Sequence, residues 1–343
     1  MGLYEFKMVP SSEKNKLIKF IDEHWKKGHA IVKSDALLKF QHYDATKKQY
    51  NFIVAENMET REYDALVGFI PVAQYDTSLL EHGNYWGAIW KCREDVQNSE
   101  INNAAFYIWK CLFKLPYFQS YAAIGISEIA RQIYIASRMN LGHLSQYYIL
   151  NDKIDDYKIA GNVSFNHLAP PSQPTTSQYE VKWITLDEIP PYIQPAYKPT
   201  KSIAYFKQRY GNHPIYQYKY LGIYNKDRFV AILACRIVEA NQSKCIRVMD
   251  VLGKLEGNIY QPLKEILYNA QAEYIDIMNY GIDKNIFIQM GFSELDVNGA
   301  LIIPNYFEPF EQRNVRINLA YKAQFDGFVA FKGDSDQDRP NII

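Results

Sequence analysis

The densest set of groups able to hold a polar ligand lies near the end of the chain. Residues 302–314 ("IIPNYFEPFEQRN") and 331–341 ("FKGDSDQDRPN") carry Asn305, Tyr306, Glu308, Asn314, Lys332, Asp334, Asp336, Asp338 and Arg339. Hydroxyls of a sugar need fixed donors and acceptors, and a diphosphate needs arginine or lysine. The same composition fits a charged, frayed terminus, but "DSDQDRP" has no helical or repetitive regularity. It is not a calcium loop, because the glycine at loop position six and the terminal glutamate are missing. A second chemical candidate is His29, in the turn "WKKGHA". Its ring titrates near working pH and can accept a proton, although a lone turn histidine is more often structural or exposed. Glu94 and Asp95 are weaker candidates for the same task. Cys92, Cys111, Cys235 and Cys245 show no two-residue spacing of a zinc or redox pair, so no metal site is expected.

Positioning these groups requires a regular framework. Leu17, Ile18, Ile21 and Trp25 recur at helical spacing over Ser12–Lys27, and a second helix is expected over Ser34–His42. Strands are expected over Tyr50–Asn57, Asp64–Gln74 and the aromatic Tyr85–Cys92. A polar loop, Arg93–Asn103, leads into an apolar helix, then a strand ("YAAIGIS"), a helix ("SEIARQIYIASRM") and a closing strand ("LGHLSQYYILN"). Residues 169–178 ("APPSQPTTSQ") read as a linker. The second half repeats the order, with strands at 218–225, 228–240 and 244–253, then a helix, a strand at 274–282 and another helix. Two mixed α/β units follow from this, over residues 1–168 and 179–343.

The bulk properties agree. A chain of 343 residues suits two units of about 170 better than one. Its 38 basic and 38 acidic residues cancel, which argues against a nucleic-acid partner. The apolar stretches are far short of the ~20 residues of a membrane span, and the N-terminus lacks the apolar run of a signal peptide. Free thiols and a cytoplasmic location are the expectation. The 28 tyrosines are mostly a compositional bias.

Residues 122–151 ("AAIGISEIARQIYIASRMNLGHLSQYYILN") and 273–295 ("EYIDIMNYGIDKNIFIQMGFSEL") each resemble the strand–helix segment late in a GCN5-related N-acetyltransferase. The tail stretches resemble those of tandem proteins from surface-polysaccharide gene clusters. The resemblance implies an α/β fold of two tandem domains, each a mixed central sheet flanked by helices. It implies acyl-CoA as co-substrate and a nucleotide-linked amino sugar as partner, such as a dTDP-3-amino-dideoxyhexose, with the protein a monomer or homodimer. In that fold two strands splay, and acyl-CoA lies in the wedge as an extra strand. Its pyrophosphate meets the loop and N-terminus of the next helix, a natural anion site. Carried onto the first half, this implies a donor site of Ile89, Trp90, Lys91, Asp95, Ser99, Ile101, Asn102, Asn103 and Ala104, with Ser127 and Arg131 on the following helix. Asn102 or Asn103 is expected to cap the helix.

The two halves depart from the pattern differently. The first-half loop, "NSEINNAA", lacks the family's glycines, whereas the second half has Gly257 after Lys254 in "KLEGNI". Tyr134 matches the family's tyrosine that protonates the departing thiolate, and the second half has Phe287 there. The donor site is therefore expected in the first half, with Tyr134 as acid and His29 as base. Tyr134 also fits a half-buried aromatic on an amphipathic helix. Asp250, on the second half's equivalent strand, is expected as an ionised lining of the sugar pocket. Two further readings are a transferase using aminoacyl-tRNA, disfavoured by the neutral charge, and a catalytically inactive sugar-nucleotide binder.

Overall fold

The computed structural model describes residues 2–96, 100–169 and 178–341. The strands in order are β1 (Tyr4–Pro10), β2 (Tyr43–Asp44), β3 (Gln49–Asn57), β4 (Tyr63–Pro71), β5 (Asn84–Cys92) and β6 (Ser120–Ile124). Then come β7 (Asn140–His143), β8 (Ser145–Leu150), β9 (Tyr179–Ile184), β10 (Lys219–Asn225), β11 (Arg228–Ala240) and β12 (Ser243–Gly253). The last are β13 (Tyr274–Tyr280), β14 (Ser293–Glu294), β15 (Tyr306–Phe307), β16 (Phe310–Glu311), β17 (Asn318–Ala323) and β18 (Ala330–Phe331). The main helices are α1 (Lys14–Phe20), α2 (Ala30–Lys33), α3 (Asp35–His42), α4 (Ile101–Cys111) and α5 (Glu128–Ala136). They continue as α6 (Phe165–Leu168), α7 (Ile203–Phe206), α8 (Tyr260–Ala270) and α9 (Lys284–Met290).

These elements make two large mixed sheets flanked by helices, matching the expected class. The first sheet runs β1-β3-β4-β5-β6-β17-β7 and the second β14-β8-β13-β12-β11-β10-β9. Leu17, Phe20 and Ile21 pack with Phe52, Val54, Leu66 and Ile89 on one face of the first sheet. Helices α4 and α5 cover the other face with Ile108, Trp109 and Tyr134. The first helix widens into a π turn over Ile21–Trp25. That turn swings Trp25 out of the expected apolar stripe, leaving it 41% exposed. Strand β1 forms in the N-terminal stretch, where no element was expected.

The sheets are not built from two contiguous blocks of chain. The stretch read as one closing strand is divided at Leu144: β7 stays in the first sheet, while β8 pairs with β13 in the second. In return β17, from the far end of the chain, sits between β6 and β7. The two crossing points touch, with the Leu144 N–H donating to the Ile317 carbonyl at 2.9 Å. Both side chains are buried in the core shared by the sheets, with Trp86, Ala122 and Leu319 on one side and Ile232, Met249 and Leu252 on the other. Each such large apolar side chain contributes roughly 1.5–3 kcal/mol when fully buried. The exchange is therefore held by the same apolar layer that joins the halves.

Candidate active site

Both sheets carry the same device. Phe69 faces Gly87 and Val67 faces Trp90, so Gly68 alone opposes Ala88 and Ile89: β5 has a bulge there. Just beyond it, β5 stops pairing with β6, whose parallel contact covers only Asn84–Gly87 with Ser120–Ala123. In the second sheet β12 gains its extra residue at Met249 and pairs with β13 only through Ile246–Val248. A bulge followed by a splay opens a wedge and leaves strand N–H groups free of the ladder.

The two wedges have different fates. In the second, β18 pairs with Asn279 and Tyr280. The Lys332 N–H then donates to Met278 O (3.1 Å) and the Gly333 N–H to Met249 O (2.7 Å), so the chain bonds to both walls. Only glycine fits at 333: a Cβ there would lie 2.6 Å from Met249 O and from the Tyr210 hydroxyl. In the first wedge the tail reaches only the apex. Ser335 Oγ donates to Gly87 O (2.6 Å) and Gln337 Nε2 to Ile124 O (2.8 Å). Outward from there, no strand lies along the inner edge of Ala88–Cys92 among the described residues.

Tyr134 points from α5 toward that apex. Its ring packs 6.1 Å from Trp90 and 5.7 Å from Trp109, and its hydroxyl is hydrogen-bonded to Tyr121. The Tyr121 hydroxyl in turn sits 2.3 Å from where a Cβ on Gly87 would be. Burial, with Tyr121 adding to it, holds the Tyr134 phenol well above its ordinary pKa, so it keeps its proton. Ser127 caps α5 by accepting the Ala130 N–H (3.2 Å), and Arg131 pairs with Glu128 (3.2 Å). Of the wedge wall, Ile89 is buried on the α1 side, and Trp90 Nε1 donates to Ala105 O on α4 (3.1 Å).

The loop after β5 corrects several expectations. Helix α4 starts at Ile101 after Glu100, so Asn102 and Asn103 are exposed first-turn residues and neither is the cap. Ile101 and Ala104 face the core, and Ser99 lies outside the described residues. Lys91 pairs with Glu94, and Arg93 with Asp95 at 2.7 Å. Those cations keep both carboxyls ionised, Asp95 down to about 2, so neither suits a base working near neutrality.

His29 is likewise not placed as a base. Its Nδ1 accepts the Ile31 N–H (3.4 Å) and caps α2. Burial, reinforced by Arg339, Lys26 and His42, lowers the ring to about 3, which makes it a weak proton acceptor. His29→Ala should cost about 1 kcal/mol of stability in chemical denaturation and leave turnover unchanged. A large loss of turnover with intact folding would restore it to the mechanism.

The tail residues separate into two groups. Asn305, Tyr306, Glu308, Lys332, Asp338 and Arg339 line one cavity of about 300 Å³. It also takes in Gly125 and Ile126, at the end of β6, so it abuts the first wedge. The rest are structural. Asn314 clamps its own loop, accepting the Ile303 N–H and donating to Leu301 O. Asp336 accepts from Arg339. Asp334 and Asp250 are fully buried on Lys201, each at 2.7 Å, and Asp250 also accepts from Tyr210 (2.6 Å). Asp250 is therefore not part of that cavity's lining, contrary to expectation. Sequence reasoning missed Tyr216, Arg236, Arg247 and Arg316 in the cavity. A signal existed for two of them: Arg236 and Arg247 interrupt apolar strands, in "LACRIV" and "CIRVMD".

Comparisons with known proteins fit this geometry. No protein-family model matches the chain, and no curated protein sequence does. Among solved structures, a GCN5-related N-acetyltransferase from Anabaena variabilis ATCC 29413 superposes with a TM-score of 0.56 at 9% identity, over 93% of this chain and 72% of its own. A "conserved protein of unknown function", "probable N-acyltransferase", from Enterococcus faecalis V583 gives 0.55 at 9%, over 94% and 72%. The fold is that of the GCN5-related N-acetyltransferases. In this fold the bulge and splay recur in both sheets, as two tandem units would have them. Among the described residues no cluster of His, Cys, Asp or Glu is placed to hold a metal, and no helix is long and apolar enough to cross a membrane.

Proposed function

We propose that the protein is an acyl-CoA-dependent N-acyltransferase acting on the amino group of a nucleotide-linked amino sugar, such as a dTDP-3-amino-3,6-dideoxyhexose. One observation carries the reading: the second wedge is filled by the chain itself, while among the described residues the outer part of the first has no strand beside it. The free edge of Ile89–Lys91 offers an acyl-CoA the place of an extra strand. The first sheet then supplies the donor site; the acceptor site is the cavity formed mostly by residues 216–341, with Gly125 and Ile126, so the expected division into 1–168 and 179–343 does not separate the two sites.

The chemistry follows from few groups. The acceptor nitrogen adds to the thioester carbonyl, and a strand N–H freed by the bulge holds the oxyanion. The C–S bond breaks, and the Tyr134 hydroxyl, which keeps its proton, donates a hydrogen bond to the leaving thiolate, which takes its proton from water. The ammonium formed on the acceptor loses its proton to water.

The glycine-free loop and Glu100 favour a second reading, a sugar-nucleotide binder without catalysis. A thiol-release assay over acyl-CoAs and amino-sugar nucleotides decides between them. Release is expected only when both substrates are present. No release with any pair, alongside a rise in melting temperature with a sugar nucleotide alone, would establish the binder.

A further inference from the structure

The cavity beside the first wedge has an unusual charge arrangement. Arg247 makes a two-pronged contact with Asp276 (3.0 Å each) and gives its third donor to Asn305 O. Arg236 is bonded to Asp338 (2.6 Å) and lies 3.4 Å over the Tyr216 ring. Arg339 is held by Asp336. Each of these three arginines thus has its own carboxylate. Glu308, a further acid on the wall, accepts from Tyr216 and from the Asn341 N–H and also pairs with Arg236 at 3.5 Å. Among the described residues, two cations of the wall have no carboxylate within ion-pair distance, Arg316 and Lys332. Arg316 is exposed at the rim, and Lys332 is buried.

With Glu308 counted, these groups carry one net positive charge, which favours an anionic ligand, and the two cations without an ion pair can each meet one charge of a dianion. The diphosphate diester of a nucleotide sugar is such a dianion and offers several acceptor oxygens. The neighbouring arginine forks hold donors in fixed geometry. We propose that this cavity seats a nucleoside diphosphate and that Lys332 takes up a proton from solvent as the ligand enters. The proposal rests on reading the acceptor as nucleotide-linked.

The setting of Lys332 explains the proton. It stands at the end of β18, its backbone fixed in the second wedge. From β12, Arg247 faces it, and from the tail Arg339; Asp338 and Asp276 oppose their effect. Arg236 on β11 and Glu308 by the β15–β16 hairpin complete the charged surroundings. Burial, then Arg247, holds its ammonium down to about 7. An arriving dianion reverses the balance, so affinity and protonation are linked. The sign is fixed: the empty site loses its proton as pH rises past about 7, and the ligand must then bring it back.

Titration calorimetry with dTDP-glucose tests this, since that compound has no amine to acylate and its charge is constant over the range. Affinity should weaken about tenfold for each pH unit above about 7, and buffers of different ionisation heat should report uptake of about one proton at pH 8. Lys332→Met should bind more weakly at pH 6.5 and lose the pH dependence. Lys332→Arg should keep binding and take up no proton, which guards against a misfolded variant. Wild-type binding with no proton uptake, or uptake surviving in Lys332→Met, overturns the proposal. One-for-one displacement of dTDP-glucose by CoA assigns the cavity to donor phosphates and also overturns it. Thiol release is scored separately: turnover without proton-linked binding defeats this proposal alone, and proton-linked binding without turnover defeats the transferase reading alone.

Discussion

Lys201→Met is expected to destabilise the protein by about 3–5 kcal/mol, the cost of leaving buried charge unpaired. Lys201 Nζ lies 2.7 Å from Asp250 and 2.7 Å from Asp334, and both carboxylates are fully buried. Methionine keeps the length of the side chain and removes only its charge. The loss should depend on pH in a defined direction. Burial raises Asp334 to about 6, with Asp250 adding to the rise and Lys201 opposing it. A carboxyl raised in the folded state favours folding below its ordinary pKa, near 4, and loses that contribution as pH climbs through about 6. Without Lys201 the rise is larger, so the variant should lose less stability at pH 5 than at pH 8. Denaturant unfolding at the two pH values checks both statements. A loss below about 1 kcal/mol at pH 8 would mean that the trio does not hold the tail in place. Asp250→Asn added to the variant should recover part of the loss.

Tyr134→Phe should lower turnover by about 100-fold or more while leaving acyl-CoA affinity nearly unchanged. Phenylalanine keeps the ring packing on Trp90 and Trp109 and loses only the hydroxyl bonded to Tyr121. The proposed donor contacts are to the strand edge, which the substitution does not touch. The effect therefore belongs in kcat and not in KM. Because the phenol holds its proton well above its ordinary pKa, it should cause no fall in wild-type rate up to about pH 10. Unchanged turnover in the variant would remove Tyr134 from the mechanism.

The parts of the fold visible in the sequence are those set by local pattern. The strand and helix around "YAAIGIS" and "ARQIYIAS" follow from apolar alternation and a serine cap, and both are present. Partner choice is another matter. Ser145–Leu150 reads as a strand under any topology, because its apolar residues continue on both faces, Tyr147 entering one core and Tyr148 another. Only long-range packing places it beside β13. The site divides in the same way. Polar residues of the tail were recognisable as a set, and Asn305, Tyr306, Glu308, Lys332 and Arg339 do meet in one cavity. Which acids would be consumed by Lys201 was not legible, because Lys201 is 49 residues from Asp250 and farther still from Asp334. Nor could His29 be distinguished as a cap, since the turn residues alone do not reveal its burial.

The exchanged strands bear on how the protein is made. On the ribosome, residues 1–150 emerge with β6 and β7 lacking the neighbour that separates them, since β17 ends at Ala323. Meanwhile β8 waits for a partner, β13, translated more than a hundred residues later. Neither sheet can close until almost all of the chain has been synthesised, and a nascent chain with open strand edges is prone to aggregation. Holding such edges apart is work for a chaperone, and a fragment cut at the linker would inherit the open edge permanently.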